Sequence, residues 1–86
     1  MNTNFQMLKD LLEQYHPEQR GIASAEEVEL INSKLHIKEM DVLQLRNLRD
    51  FVVIFLGNKD TMEAWDQMSA ITSVIDNRIW NLGGAL

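Results

Sequence analysis

The chain has 86 residues, of which 13 are acidic and 8 basic, and it contains no cysteine. That length suits one domain and is too short for two, and the absence of thiols excludes disulfide bridges and thiolate metal sites. A formal charge of −5 opposes binding to phosphate backbones, since no excess of cations is available to displace their counterions. We therefore expect one domain spanning residues 1–86 that binds no nucleic acid.

The first predicted helix runs from about residue 4 to residue 15. Its apolar side chains recur at helical spacing, and polar residues fill the other side. Pro17 disfavours helical geometry at the residue before it, so the helix ends there and a loop over 17–22 follows. The apolar stripe consists of Phe5, Leu8, Leu12 and Tyr15.

The second predicted helix runs from about residue 25 to residue 35. Ser24 and Glu27 have the spacing of a capping box, in which each side chain binds the backbone amide of the other residue. The expected buried stripe is Val28, Ile31 and Leu35.

The third predicted helix runs from about residue 38 to residue 56, with Gly57 as a left-handed C-cap. Its last six residues, 51–56, are apolar all the way round and rich in residues that favour strands. We nevertheless predict a helix, because no second strand is available to pair with this segment. The stripe expected to be buried is Leu45, Leu48, Val52 and Phe55.

The fourth predicted helix is the longest and runs from about residue 61 to residue 82. Asp60 is its expected N-cap, with Glu63 completing a capping box, and the glycines at 83 and 84 end it. Its stripe is Ala64, Met68, Ile71, Ile75, Ile79 and Leu82. Together these segments predict an all-α fold, a compact four-helix bundle in which the third and fourth helices are antiparallel.

The sequence contains no pattern typical of catalysis or of cofactor binding. There is no cysteine nucleophile, phosphate-binding loop or zinc-binding helix motif. Glu13 and His16 are only half of a helical di-metal pattern, so we expect neither a metal nor a cofactor. His36 lies in the link between two helices and is a candidate for a pH switch, although capping or covering the end of a helix is the simpler interpretation. We predict that the protein is not an enzyme.

Several carboxylates lie around the link between the second and third helices. They either form an acidic patch for a basic partner or cap the starts of two helices, and their positions suit capping well. The five residues are Glu26, Glu27, Glu29, Glu39 and Asp41.

Arg46 and Arg49 lie on one side of the third helix and raise the possibility of a helix-turn-helix regulator. The hydrophobic second half of that helix and the acidic surroundings disfavour this interpretation, and pairing of these arginines with Asp50 or nearby glutamates is the simpler expectation.

Three large apolar residues fall outside the main stripes and are candidates for an interface. Trp80 and Met62 lie on the same side of the fourth helix, away from its stripe, and Ile54 belongs to the segment that is apolar all round. They either line the core of a small bundle or form a contact between two copies of the chain, and tryptophan is favoured at such contacts.

The leading hypothesis is therefore a non-catalytic protein that acts through protein-protein contacts as a homodimer and engages an unidentified protein. The alternative is an acidic inhibitor, of the immunity or anti-host type, that blocks a basic nucleic-acid-binding surface on another protein. A small helix-turn-helix regulator is a more distant alternative. The N-terminus lacks a secretory signal, and the longest apolar run is six residues, so we expect a cytoplasmic protein that does not enter the membrane.

Overall fold

The described part of the chain forms four α-helices and one short 3-10 turn. The computed structural model describes residues 3–16 and 23–84. No residue within those two ranges lies in a β-strand, so the predicted all-α four-helix fold with a long last helix is confirmed. The elements are α1 (Thr3–Gln14), α2 (Ala25–Lys34), the 3-10 turn (Ile37–Glu39), α3 (Val42–Gly57) and α4 (Met62–Asn81).

The start of α2 follows the sequence prediction. The Ser24 hydroxyl accepts a hydrogen bond from the Glu27 amide, and the Ser24 amide donates to the Glu27 carboxylate, both at 3.2 Å. The capping box is therefore complete and satisfies amides that the first helical turn leaves unpaired. The predicted loop over 17–22, which precedes this cap, lies outside the described residues.

The predicted start of the third helix was wrong by four residues. A 3-10 turn occupies Ile37–Glu39, and α3 begins only at Val42. The reason is a second capping box, because the Asp41 carboxylate accepts from the Gln44 amide at 2.8 Å while the Gln44 side chain accepts from the Asp41 amide at 3.0 Å. Such a cap requires extended backbone at Asp41, as observed, and so interrupts any helix that arrives from residue 38.

The connection between α3 and α4 also differs from its prediction in two details. Gly57 is the last residue of α3 and has no left-handed conformation, which occurs instead at Asp60, with φ of 48°. The N-cap of α4 is Thr61, whose hydroxyl accepts from the Ala64 amide at 3.1 Å. Asp60 cannot cap the helix from a left-handed backbone, and its carboxylate instead accepts a hydrogen bond from the Trp65 indole at 3.2 Å.

The helices α3 and α4 are antiparallel, as predicted. Only residues 58–61 separate them, and the start of α3 lies beside the end of α4, since a side chain at Gly84 would approach Val42 to 3.1 Å. Halfway along, Arg49 of α3 forms an ion pair with Asp76 of α4 at 2.7 Å. This contact corrects the expected pairing of Arg49 with Asp50 or a glutamate.

One apolar core joins all four helices. The segment 51–56 is helical, and Val52 and Leu56 are fully buried while Phe51 and Phe55 pack at the edge of the core. Phe5 of α1 lies edge-on against both of those rings, at 6.4 and 5.6 Å between ring centroids, and is itself 41% exposed. Residues with large buried side chains are Leu8, Leu11, Tyr15, Ile31, Leu35, Ile37, Leu45, Leu48, Leu56, Ile71, Ile75 and Ile79.

The buried side of α4 is wider than its predicted stripe. Gln67, Ala70 and Val74 are also buried there, whereas Leu82 is exposed because the helix ends at Asn81. Gly83 follows in a left-handed conformation, with φ of 80°, and ends the helix as the sequence predicts. No helix within the described residues combines the length and the apolar character needed to cross a membrane.

Candidate functional site

The sides of α3 and α4 that point away from the core carry a set of exposed apolar residues, which we call the outer face. On α3, Leu43 and Ile54 are 68% and 64% exposed, and their separation of 11 residues, about three turns, places them on one side of the helix. The complete set is Leu43, Val53, Ile54, Met62, Trp65 and Trp80.

The two ends of this face on α4 are held by Met62 and Trp80. They are 64% and 69% exposed, and their separation of 18 residues equals five helical turns, so they share one side at a distance of about 27 Å. Between them lie the small residues Ser69 and Ser73, which line a shallow depression next to Trp80. Trp80 is therefore a surface residue, and the predicted interface residues Ile54, Met62 and Trp80 are all accessible.

A hydrogen bond to Asp60 orients the Trp65 side chain. It is 45% exposed, and its indole donates a hydrogen bond to Asp60 at 3.2 Å. The sequence did not single out Trp65, because its partner adopts a left-handed backbone that residue patterns rarely reveal.

The five carboxylates predicted as an acidic patch have different surroundings. Glu27 and Asp41 cap α2 and α3, and Glu39 lies 3.0 Å from His36. Glu26 and Glu29 are exposed on α2. Capping thus accounts for two of the five residues, and the other three lie at the surface.

The histidines and arginines that the sequence singled out also have defined neighbours. His16 lies 3.0 Å from Glu63 of α4, and Glu13 is exposed on α1. Arg49 is held by Asp76, so it does not project as part of a basic helix. No group of three or more metal-ligating side chains is found among the described residues.

Tyr15 and Glu27 form a buried polar contact where α1, α2 and α4 meet. Tyr15 is 1% exposed, and its hydroxyl and the Glu27 Oε2 atom lie outside strict hydrogen-bond geometry with any described group. Burial raises the pKa of Tyr15 well above its usual value, and the adjacent Glu27 and Asp66 carboxylates raise it further. Gln67 of α4 closes this junction by donating to the Tyr15 carbonyl at 3.2 Å.

A groove separates α2 from the second half of α4, and we call it the α2–α4 groove. It encloses about 360 Å³, and its lining contains two cationic residues and no acidic residue. Sequence reasoning missed it because its two cations, Lys38 and Arg78, are 40 positions apart and meet only in the folded chain. The lining residues are Ala23, Val28, Asn32, Lys38, Ser73, Val74, Asn77, Arg78 and Asn81.

Arg78 is one of the two cationic residues that line that groove. Its Nη2 atom donates to the Lys38 carbonyl at 3.3 Å, while its buried Nε atom has no hydrogen-bond partner among the described residues. A buried guanidinium donor without an acceptor is costly, because its charge-assisted hydrogen bonds to water are lost.

Comparison of the chain with known proteins identifies no relative. No protein-family model, curated protein or solved structure matches the chain.

Proposed function

We propose that the chain is a non-catalytic, cytoplasmic protein that acts through protein-protein contacts as a homodimer, with the outer face as the contact between two copies. The observation that carries this proposal is the exposure of six large apolar side chains on neighbouring sides of α3 and α4. Such clusters are uncommon on monomers and are typical of interaction sites.

The exposed area supports a complete interface. The six side chains together present on the order of 700 Å², close to the roughly 800 Å² per partner that a standard interface buries. Two of the six are tryptophans, the residue type most enriched among those that dominate binding energy.

The spacing along α4 favours a second copy of the chain as the occupant. A two-fold axis through the middle of the exposed side, near Ser69 and Ser73, would bring Trp80 of each copy onto Met62 and Trp65 of the other. The same contact between the two ends of α4 therefore forms twice across the two-fold axis, as an isologous contact requires. The small serines at the centre permit the two α4 helices to approach within the usual 8–10 Å.

Charge does not oppose this pairing, although the chain is acidic overall. Charges of both signs lie on α3 and α4, where Arg46 and Asp50 are exposed and Arg49 is paired with Asp76 at 2.7 Å. Two copies can therefore meet there without the repulsion that a net charge of −5 would cause on a uniformly acidic surface.

Sedimentation equilibrium at micromolar concentrations tests the dimer. We expect the unaltered chain to sediment as a dimer, and Trp80→Ala to raise the dissociation constant about thirtyfold or more, because loss of a central aromatic anchor typically costs 2 kcal/mol or more. Leu82→Ala is the matched control, since Leu82 is also exposed but follows the last residue of α4 and is not part of the outer face. This variant should leave the dimer intact.

A second variant tests the position of the two-fold axis. Ser73→Arg places two like charges beside each other at the centre of the proposed contact and should abolish the dimer. Ser33→Arg is the control, because Ser33 is exposed on α2, outside the proposed contact, and this variant should still form the dimer. A monomer at all accessible concentrations would refute the proposal. A dimer that tolerates both Trp80→Ala and Ser73→Arg would place the contact elsewhere.

A further inference from the structure

We propose that Met62 is a site of reversible oxidation, and that its conversion to the sulfoxide separates the two copies of the chain. Met62 belongs to the outer face, so this proposal rests on the homodimer formed through that face. It adds a regulator to the contact, namely a peroxide that transfers one oxygen atom to a thioether.

The composition of the chain directs an oxidant to methionine. The chain contains five methionines and no cysteine, so no thiolate competes for the peroxide. In the reaction the Met62 sulfur attacks one oxygen of hydrogen peroxide, and the O–O bond breaks as the S–O bond forms. The sulfur is oxidised by two electrons and the peroxide is reduced, so that one sulfoxide and one water molecule result.

Exposure distinguishes Met62 from the other methionines that the structure describes. Met62 is 64% exposed. The others, Met7, Met40 and Met68, are partly buried and pack against the core. Peroxide in solution therefore reaches the Met62 side chain more readily, because susceptibility to oxidation follows exposure.

The fold of the single chain does not depend on the Met62 thioether. Met62 is the first residue of α4, and the helix is capped by Thr61, whose hydroxyl accepts from the Ala64 amide at 3.1 Å. Neither group of this cap belongs to the Met62 side chain. A sulfoxide at this exposed position keeps its contact with water, so oxidation should leave α4 and the core intact.

The dimer, in contrast, depends on Met62 remaining apolar. With the two-fold axis near Ser69 and Ser73, the Met62 side chain of each copy lies against Trp80 of the other. A thioether packs favourably against an aromatic ring, whereas a sulfoxide oxygen must give up hydrogen bonds to water on entering the contact. Because the contact forms twice across the axis, each dimer incurs this cost twice.

Peroxide treatment followed by peptide mass spectrometry and sedimentation equilibrium tests the proposal. Where the untreated chain is mainly monomeric, Met62 should gain one oxygen at least about fivefold faster than the three partly buried methionines. Where it is mainly dimeric, the partner copy covers Met62 and should slow its oxidation. The oxidised chain should have a dissociation constant at least about tenfold higher than the untreated chain, and methionine sulfoxide reductase should restore the original value.

Met62→Leu is the matched variant, because leucine keeps the apolar volume and has no sulfur to oxidise. It should form the dimer with the same dissociation constant before and after peroxide treatment. Fragmentation of the peptides locates the added oxygen and should place none on Trp65 or Trp80. Circular dichroism of the treated chain should show an unchanged helical signal, which distinguishes loss of the contact from unfolding.

Five outcomes would overturn the proposal. Oxidation of Met62 no faster than that of the buried methionines removes the site. A dimer that persists with Met62 fully oxidised shows that the sulfoxide does not control the contact. Dissociation of treated Met62→Leu assigns the effect to another residue, and loss of helical signal assigns it to unfolding. These four results leave the homodimer standing, whereas an untreated chain that sediments as a monomer refutes the homodimer and the regulation together.

Discussion

The two sides of α4 are packed in different ways. Toward α3, the helix buries long aliphatic residues such as Ile75 and Ile79 and forms the Arg49–Asp76 ion pair at the surface of the seam. Toward α2, it presents Val74 beside serine, asparagine and arginine, and a groove remains. The difference shows that one helix can supply both the stabilising core and an open polar cleft, because shorter and more polar side chains face one of its neighbours.

The largest expected change in the free energy of unfolding comes from truncating an aliphatic side chain of α4, and we compare one residue on its α3 side with one on its α2 side. Ile75→Ala removes a fully buried residue and should lower the free energy of unfolding by about 2–5 kcal/mol. Val74→Ala, next along the chain at the edge of the groove, should cost only about 1–2 kcal/mol, since it removes two methyl groups beside an existing opening. Urea-induced unfolding followed by circular dichroism measures both. Equal losses would show that the two sides are packed alike.

A second prediction concerns the stability of the chain at high pH, where the buried Tyr15 at the junction of α1, α2 and α4 must ionise. The pKa of Tyr15 is raised in the folded chain by burial and by nearby carboxylates, whereas in the unfolded chain it is about 10. Both states carry the neutral phenol below pH 10, so the stability is unaffected there. Above pH 10 the unfolded state ionises first, and the free energy of unfolding should fall by about 1.4 kcal/mol per pH unit.

Tyr15→Phe isolates this effect from the titration of other groups. The variant should unfold at neutral pH within about 1 kcal/mol of the unaltered chain, because the hydroxyl makes no strict hydrogen bond. Above pH 10 its free energy of unfolding should fall less steeply than that of the unaltered chain, because it has no phenol at position 15 to ionise. Since Tyr15 is the only tyrosine, phenolate absorbance reports its ionisation directly. Ionisation of Tyr15 near pH 10 without unfolding would contradict the prediction.

The sequence was sufficient to predict what depends on local pattern. Periodic apolar residues located all four helices, including the segment 51–56, and the spacing of Ser24 and Glu27 predicted a complete capping box. The misplaced N-cap of α4 occurred where two neighbouring residues were chemically equivalent. Asp60 and Thr61 are both good N-caps, and the left-handed backbone that turns Asp60 toward Trp65 decided between them.

The candidate sites were less predictable, because they depend on contacts between distant residues. The sequence placed Trp80 and Met62 away from the main stripe of the fourth helix, but it could not distinguish an exposed side of that helix from a second buried side. The α2–α4 groove was beyond prediction, since the distance between α2 and α4 determines whether Lys38 and Arg78 share a cleft. The arginine expected to pair locally, Arg49, instead pairs 27 positions away.

The smallest expected effect concerns the ion pair on the α3 side. Arg49 and Asp76 lie 2.7 Å apart, but their side chains are 43% and 25% exposed, so water and salt screen the attraction. Asp76→Asn should therefore lower the free energy of unfolding by no more than about 1 kcal/mol. The difference in unfolding free energy between the variant and the unaltered chain should become smaller in high salt. Salt weakens the ion pair in the unaltered chain, and the variant has no such pair to weaken.

Asp50→Asn is the control that separates loss of the ion pair from the change in net charge. Asp50 is an exposed carboxylate on α3, so its variant changes the net charge equally without removing the contact between α3 and α4. A double-mutant cycle with Arg49→Gln should give a coupling energy for Asp76 and almost none for Asp50. If Asp76→Asn cost as much as Ile75→Ala, the seam between α3 and α4 would depend on the ion pair rather than on aliphatic burial. The contrast between the two sides of α4 would then be one of charge instead of packing.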